Sequence, residues 1–161
     1  GCVEGLRAGD IGGGTGTLAA VLCERGAEVT LIDPSASMTG LALKKCPDIR
    51  VVNAGAERIP MEGDYFDIIC IKDCLHHIPC REHALKEVVR VLKPGGRIII
   101  QEFYPGAPVS GLILIMERFF GEKSRFIQPE SLNNIMLCNS VKGRIHPISS
   151  FEYMFEGCKL E

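Results

Sequence analysis

Three glycines at alternate positions, Gly12, Gly14 and Gly16, follow Asp10-Ile11 and precede an amphipathic stretch. At a strand-to-helix junction, glycines let the backbone pass close beneath a ligand and take dihedrals that a Cβ opposes, while the next helix offers free N–H groups. The spacing departs from the dinucleotide fingerprint G-x-G-x-x-G, because Thr17 stands where the third glycine belongs. It fits instead an acidic residue, then G-x-G-x-G, then a second acidic residue, Asp33, closing the next strand. Neighbouring parallel strands deliver both features to the same carboxyl edge. There Asp33 can accept hydrogen bonds from both hydroxyls of a ribose. The plainer reading is a tight turn with Asp33 capping the following helix.

A second group with chemical capacity is Lys72-Asp73-Cys74-Leu75-His76-His77, just past the fourth strand and so at the same edge. His76 or His77 can serve as a general base, since an imidazole titrates near neutral pH, or can be held structurally by a backbone hydrogen bond. Cys74, His76, His77, Cys80 and His83 form a local cluster of metal-ligand types, but their spacing matches no zinc pattern, and no metal is expected. Glu102, closing the fifth strand, is a second candidate base, with a solvated strand-end carboxylate the plainer reading. Tyr104 either lines an acceptor pocket or packs on Pro105.

The elements that must position these groups alternate short β-branched runs with amphipathic stretches, the pattern of β-α-β units on a mostly parallel sheet. Residues 5–11 read as a weak first strand, because Arg7-Ala8-Gly9 replaces an apolar run. A helix over 17–25 ends at Gly26. Strands are expected at 28–33 and 49–53, with a helix over 35–45 between them. The continuous apolar run 67–71 reads as a strand buried on both faces. A helix over 81–92 stops at Lys93-Pro94-Gly95-Gly96, and a fifth strand follows at 97–103. Beyond it come an apolar helix over 109–120, a helix opened by Pro129-Glu130-Ser131, and two strand-like pieces, 141–148 and 151–159, suited to an antiparallel hairpin at the sheet edge. The fold class is α/β, one domain over residues 1–161.

Composition narrows the function. The charge of −2 gives no basic excess to hold nucleic acid, and no stretch approaches the roughly 18–20 apolar residues of a bilayer span. The eight cysteines are scattered without a C-x-x-C, so they read as reduced thiols of a cytoplasmic protein.

Taken in order, residues 10–16, 29–33, 54–60, 66–77 and 91–100 resemble the class I S-adenosylmethionine-dependent methyltransferases, in particular the small-molecule group that includes the ubiquinone and menaquinone biosynthesis enzymes. The resemblance implies a Rossmann-like, doubly wound, seven-stranded sheet, mostly parallel, with an antiparallel C-terminal edge hairpin. It implies S-adenosylmethionine as cofactor and in-line displacement of its methyl group onto a small-molecule acceptor. Carried over residue by residue, Asp10, Gly12, Gly14 and Gly16 pass the methionine part, and Asp33 holds the ribose. Pro34 and Met38 lie near the adenine, which Ala56 and Glu57 serve from the other side. Lys72 meets the cofactor through its backbone.

Two departures matter. Gly55 stands where the family has an adenine-binding aspartate, and the helices that precede the first strand and cover the site in relatives are missing from this chain, so a non-catalytic cofactor-binding or interaction module is the alternative. Methyltransferases acting on nucleobase amines carry Pro-Pro-aromatic after the fourth strand, whereas Asp73 here precedes Cys74-Leu75. The apolar segment 112–120 is suited to cover a hydrophobic acceptor, to enter the core, or to serve as a subunit contact in a homo-oligomer.

Overall fold

The computed structural model describes residues 2–119, 121 and 124–161; Phe120, the expected end of the apolar helix, lies outside them. Its strands are β1 (Arg7–Ile11), β2 (Glu28–Ile32), β3 (Arg50–Val52), β4 (Phe66–Lys72), β5 (Leu92–Phe103), β6 (Val141–Pro147) and β7 (Glu152–Lys159). The helices are α1 (Thr17–Glu24), α2 (Ala36–Lys45), α3 (Arg81–Val91), α4 (Pro108–Phe119) and α5 (Pro129–Cys138), with a 3₁₀ turn at Leu75–His77.

The seven strands form one sheet in the order β3-β2-β1-β4-β5-β7-β6, parallel through β5 and antiparallel at β7 and β6. This is the Rossmann-like doubly wound sheet expected from the sequence. β7 lies inside, with β6 as the outer strand of the terminal hairpin. Phe155 lies across that hairpin, and a Cβ on Gly143 or Gly157 would come within 2.3 or 2.7 Å of its ring, which is why glycines stand opposite one another there.

Side chains alternate across the sheet. Ile69 and Ile71 of β4 enter one core layer with Leu85 and Val88 of α3, whereas Ile68 and Cys70 enter the other with Ala19 and Leu22 of α1 and Ala42 of α2. The strand β1 is not weak. Its last four residues are buried, and a Cβ at Gly9 would touch the Phe66 ring at 3.3 Å, so small residues are required beneath that ring. A second correction concerns β5, which begins at Leu92. Phe66 pairs with Leu92 and Ile68 already with Arg97, so Lys93-Pro94-Gly95-Gly96 forms a bulge inside the strand instead of a turn before it.

Register brings the working ends together. Ile11 pairs with Ile32 on one side and Ile71 on the other, so the loops after β1, β2 and β4 leave the sheet side by side. The chain order reverses at β1, between β2 and β4, where such sheets open a crevice.

Candidate active site

A cleft of about 730 Å³ opens at these strand ends. Gly12 and Gly14 form one wall. Ile32, Asp33, Pro34, Ser35 and Met38 form the next, residues 54–57 close the far end, and Asp73, Cys74, His77, Ile78 and Pro79 face them.

The glycines of the loop have separate duties. Gly12, Gly14 and Gly16 take φ of +68°, +52° and +73°, the left-handed region that side chains oppose. A Cβ on Gly12 would lie 2.0 Å from Cys74 Sγ, and one on Gly16 would lie 2.6 Å from Ala42 Cβ, whereas at Gly14 nothing stands within 4 Å. Gly14 therefore opens onto the cleft, and Gly16 serves the packing of α1 on α2.

Asp33 is anchored by the loop itself. Its Oδ2 accepts from the Gly14 N–H at 3.0 Å and its Oδ1 from the Ser35 N–H at 2.8 Å. Each oxygen keeps a further lone pair. The N-cap of α2 is Ser35, whose Oγ accepts from Met38 N at 3.4 Å, so Asp33 is not spent on capping.

Asp10 lies under the loop and outside the cleft lining, 1% exposed, with the Gly13 backbone packed over its carboxylate. Burial pushes its carboxyl up to about 6 against the Ala19 N–H, which favours the charged form, and the charge of Asp33 adds to the rise. Its Oδ2 has no hydrogen-bond partner among the described residues.

At the far end, Glu57 lies over Gly55. Its Oε2 lies 2.9 Å from where a Cβ on Gly55 would stand, so a carboxylate folds back over the glycine. On the opposite wall Asp73 adopts φ +49°, donates its N–H to Gln101 O at 3.1 Å, and keeps Oδ1 buried and unpartnered among the described residues. Lys72 is exposed, outside the lining, and ion-paired to Asp73. Cys74 is a neutral thiol, pushed up to about 12 by burial and by the charges of Glu102, Asp33, Asp10 and Glu57.

The two histidines part company. His77 lines the cleft, while His76 is buried behind it. Glu102 is not solvated, as its place at a strand end suggested, but fully buried. It accepts from the Leu75 N–H at 2.8 Å and meets His76 Nδ1 at 2.9 and 3.1 Å. Burial opposes charge on His76, yet the Glu102 hydrogen bond and the charges of Glu102, Glu117 and Asp73 outweigh it and hold this imidazole above the usual histidine range. Tyr104 packs on Tyr153 at 5.2 Å between ring centroids and lines a different hollow beside α5. The cysteine and histidine cluster suggested by the sequence does not assemble. Cys74 faces Gly12, and Cys80 and His83 are exposed on or beside α3, whereas Glu117 of α4 joins His76 and His77.

Residues 9–100 match the family described as the methyltransferase domain. The chain belongs to that family. The chain is 41% identical over 113 residues to the ubiquinone/menaquinone biosynthesis C-methyltransferase UbiE of Vibrio vulnificus, covering 64% of this chain and 43% of that protein. It is 39% identical over 110 residues to the protein of the same name from Yersinia enterocolitica, covering 62% and 43%. The chain thus spans less than half the length of these curated relatives. Among solved structures, YcgJ of Bacillus subtilis superposes with a TM-score of 0.85 at 20% identity, covering 99% of this chain and 94% of that one. An S-adenosylmethionine-dependent methyltransferase from Mesorhizobium loti gives 0.85 at 17%, covering 99% and 93%. These likenesses establish the class I methyltransferase fold, whose cofactor is S-adenosylmethionine.

Of the residues singled out from sequence, the cleft gathers Gly12, Gly14, Asp33, Pro34, Met38, Ala56, Glu57 and His77. Asp10, Gly16, Lys72 and His76 stand behind or beside it. Asp73 and Cys74 were readable as lining residues from their place after β4. Glu117 carried no local signal beyond interrupting an apolar helix.

Proposed function

We propose that this methyltransferase domain holds S-adenosylmethionine in the cleft and places a small-molecule acceptor for in-line methyl transfer. The observation that carries the reading is the Gly14 N–H to Asp33 Oδ2 hydrogen bond at 3.0 Å, which ties the glycine loop and the second acidic residue to one hollow. The residues fit the cofactor. Asp33 retains lone pairs for the ribose hydroxyls, Gly14 leaves open space beside them, and Ile32, Pro34, Met38 and Ile78 offer apolar walls to a flat ring. The Glu57 carboxylate and the Ala56 N–H serve the exocyclic amine and ring edge of the adenine, which answers the absence of an aspartate at Gly55.

When bound, the cofactor supplies a methyl group activated on a sulfonium. The protein's own task is placement. Holding a nucleophile in a near-attack arrangement supplies several kcal/mol without a covalent intermediate. His77, on the wall opposite Asp33, accepts the acceptor's proton in this reading. The 41% identity to a ubiquinone/menaquinone biosynthesis C-methyltransferase supports a ring precursor of such quinones as acceptor and carbon as the methylated atom.

Calorimetry with S-adenosylmethionine and S-adenosylhomocysteine tests the cofactor, and transfer of labelled methyl to a panel of phenolic and quinol acceptors tests the reaction. Binding with no transfer to any acceptor, in this chain and in one extended at both ends, would leave a binding module and remove the enzyme.

A further inference from the structure

The 3₁₀ turn after β4 and the last turn of α4 bring together three electron-pair donors that the methyl-transfer reading does not use as a set. His76 Nε2 lies 3.4 Å from Glu117 Oε1, His77 Nε2 lies 3.6 Å from the same oxygen, and the ligating atoms of all three residues fall within 4.8 Å of one another. Tetrahedral coordination at ~2.0–2.2 Å to nitrogen and oxygen sets ligand atoms about 3.4 Å apart. Two of the three separations already meet that figure. The third closes by a small swing of His77, whose side chain is 40% exposed.

The other sides of the rings are prepared in the way metal-bound histidines are. Both Glu102 oxygens face His76 Nδ1, at 2.9 and 3.1 Å. A carboxylate can only accept, so Nδ1 carries a proton, and Nε2 is the ring nitrogen that faces Glu117 Oε1. His77 Nδ1 has the Ser124 hydroxyl at 3.1 Å, which leaves Nε2 aimed at the same point. A carboxylate or hydroxyl on the distal ring nitrogen fixes tautomer and orientation at metal sites. Glu117 adds an independent sign, since its Oε2 is buried with no hydrogen-bond partner among the described residues. Protons on the two Nε2 atoms or one divalent ion can bridge these nitrogens to the carboxylate, and the separations suit the ion.

We infer that His76, His77 and Glu117 form a binding site for a divalent transition-metal ion of the zinc type. Two imidazoles and one carboxylate suit zinc and its neighbours and not the oxygen-loving magnesium or calcium. Three protein ligands leave a fourth position, and because His77 lines the cleft, that position adjoins the acceptor side, where water or an acceptor oxygen can occupy it. The Nε2 lone pair of His77 serves the ion or accepts a proton, not both. An ion here therefore takes over the role given to His77 above, by lowering the pKa of the hydroxyl or water that it binds. The site itself stands independently of the cofactor reading, because ion and cofactor are titrated separately.

The test uses the full chain, stripped with a chelator under reducing conditions, then titrated with Zn²⁺ by calorimetry and with Co²⁺ by visible absorption. One equivalent is expected, with a Co²⁺ spectrum free of the intense thiolate charge-transfer band that the cysteines would give. Ser124→Ala should weaken binding 10- to 100-fold, as loss of an outer partner does. Glu117→Gln and His77→Gln should each weaken it further while leaving the circular dichroism spectrum and S-adenosylhomocysteine affinity unchanged for Glu117→Gln. No stoichiometric Co²⁺ binding, a thiolate band, or undiminished affinity in folded Glu117→Gln overturns the site.

Discussion

Asp10→Asn probes the structure most directly, because it removes a charge that the fold buries at a cost. The side chain is 1% exposed, one of its oxygens lacks a partner, and its carboxyl rises from the ordinary 3.8 to about 6. The unfolded chain therefore releases this proton near pH 4 and the native chain near pH 6. Between those values the native state binds more protons than the unfolded state, so Asp10 contributes stability at low pH that is lost as pH rises through the window. One pH unit is worth about 1.4 kcal/mol, and the span from 3.8 to about 6 amounts to roughly 3 kcal/mol of destabilisation at pH 7 and above. Asparagine is neutral throughout and can still accept from the Ala19 N–H, though its amide leaves one donor unpaired at a cost of about 1–3 kcal/mol. That cost is constant with pH. Urea unfolding at intervals from pH 4 to pH 8 isolates the charge from other carboxylates, such as Asp67 and Glu87, that act in the opposite sense in both proteins. The mutant-minus-wild-type difference should move in the mutant's favour by about 2.4 kcal/mol across the range, since the unfolded carboxyl is already more than half ionised at pH 4. A flat difference would refute the assignment of a buried, ionisable Asp10.

Asp33→Ala should weaken S-adenosylmethionine binding by about 1.5–3 kcal/mol for each charged hydrogen bond lost, read by calorimetry; unchanged affinity would mean that the ribose lies elsewhere. Gly12→Ala and Gly14→Ala should separate, although both take positive φ. The first drives a methyl into Cys74 and should cost thermal stability well beyond backbone strain, whereas the second meets no protein atom, should cost only the ~1–2 kcal/mol of left-handed backbone in stability, and should weaken cofactor binding because its methyl enters the cleft. Cys74, pushed up to about 12, should react with iodoacetamide roughly a thousandfold more slowly at pH 8 than an ordinary thiol. Mass spectrometry of the modified peptides should find exposed Cys80 and Cys138 labelled first.

What the sequence made readable was local. The glycine loop and Asp33 just past β2 are contiguous signals, and each is where its spacing put it, although the cap of α2 is Ser35 and not Asp33. What it concealed depended on partners distant in the chain. Arg7-Ala8-Gly9 looked like a poor strand because the need for small residues comes from Phe66, which packs over Gly9 from β4. Glu102 looked solvated because His76, its partner, lies 26 positions earlier. The bulge at Pro94 and Gly95 read as a turn, since proline and glycine mark both and only the pairing of Phe66 with Leu92 distinguishes them. The apolar helix α4 read as core, cover or subunit contact; the exposure of Leu112, Ile115, Met116 and Phe119 removes the first, and Glu117 turns toward the histidines.

Electrostatics then discriminates between ligands more sharply than the glycine spacing does. The net charge of −2 conceals a local field. Asp33, Glu57 and Asp73 line the cleft, Asp10 and Glu102 lie buried behind it, and no lysine or arginine is among the described lining residues. The same carboxylates that raise the Cys74 thiol act on whatever enters. A dinucleotide would bring two phosphates into this field with no cation to meet them, at the cost of like-charge repulsion in a partly dehydrated site. A sulfonium beside an ammonium gains from it. The acidic lining and the missing third glycine thus favour a sulfonium cofactor over a dinucleotide by separate physical routes. The negative cleft is also the surrounding that a divalent ion at the histidines would partly neutralise, so ion binding there and cofactor binding at Asp33 should oppose one another weakly through charge alone.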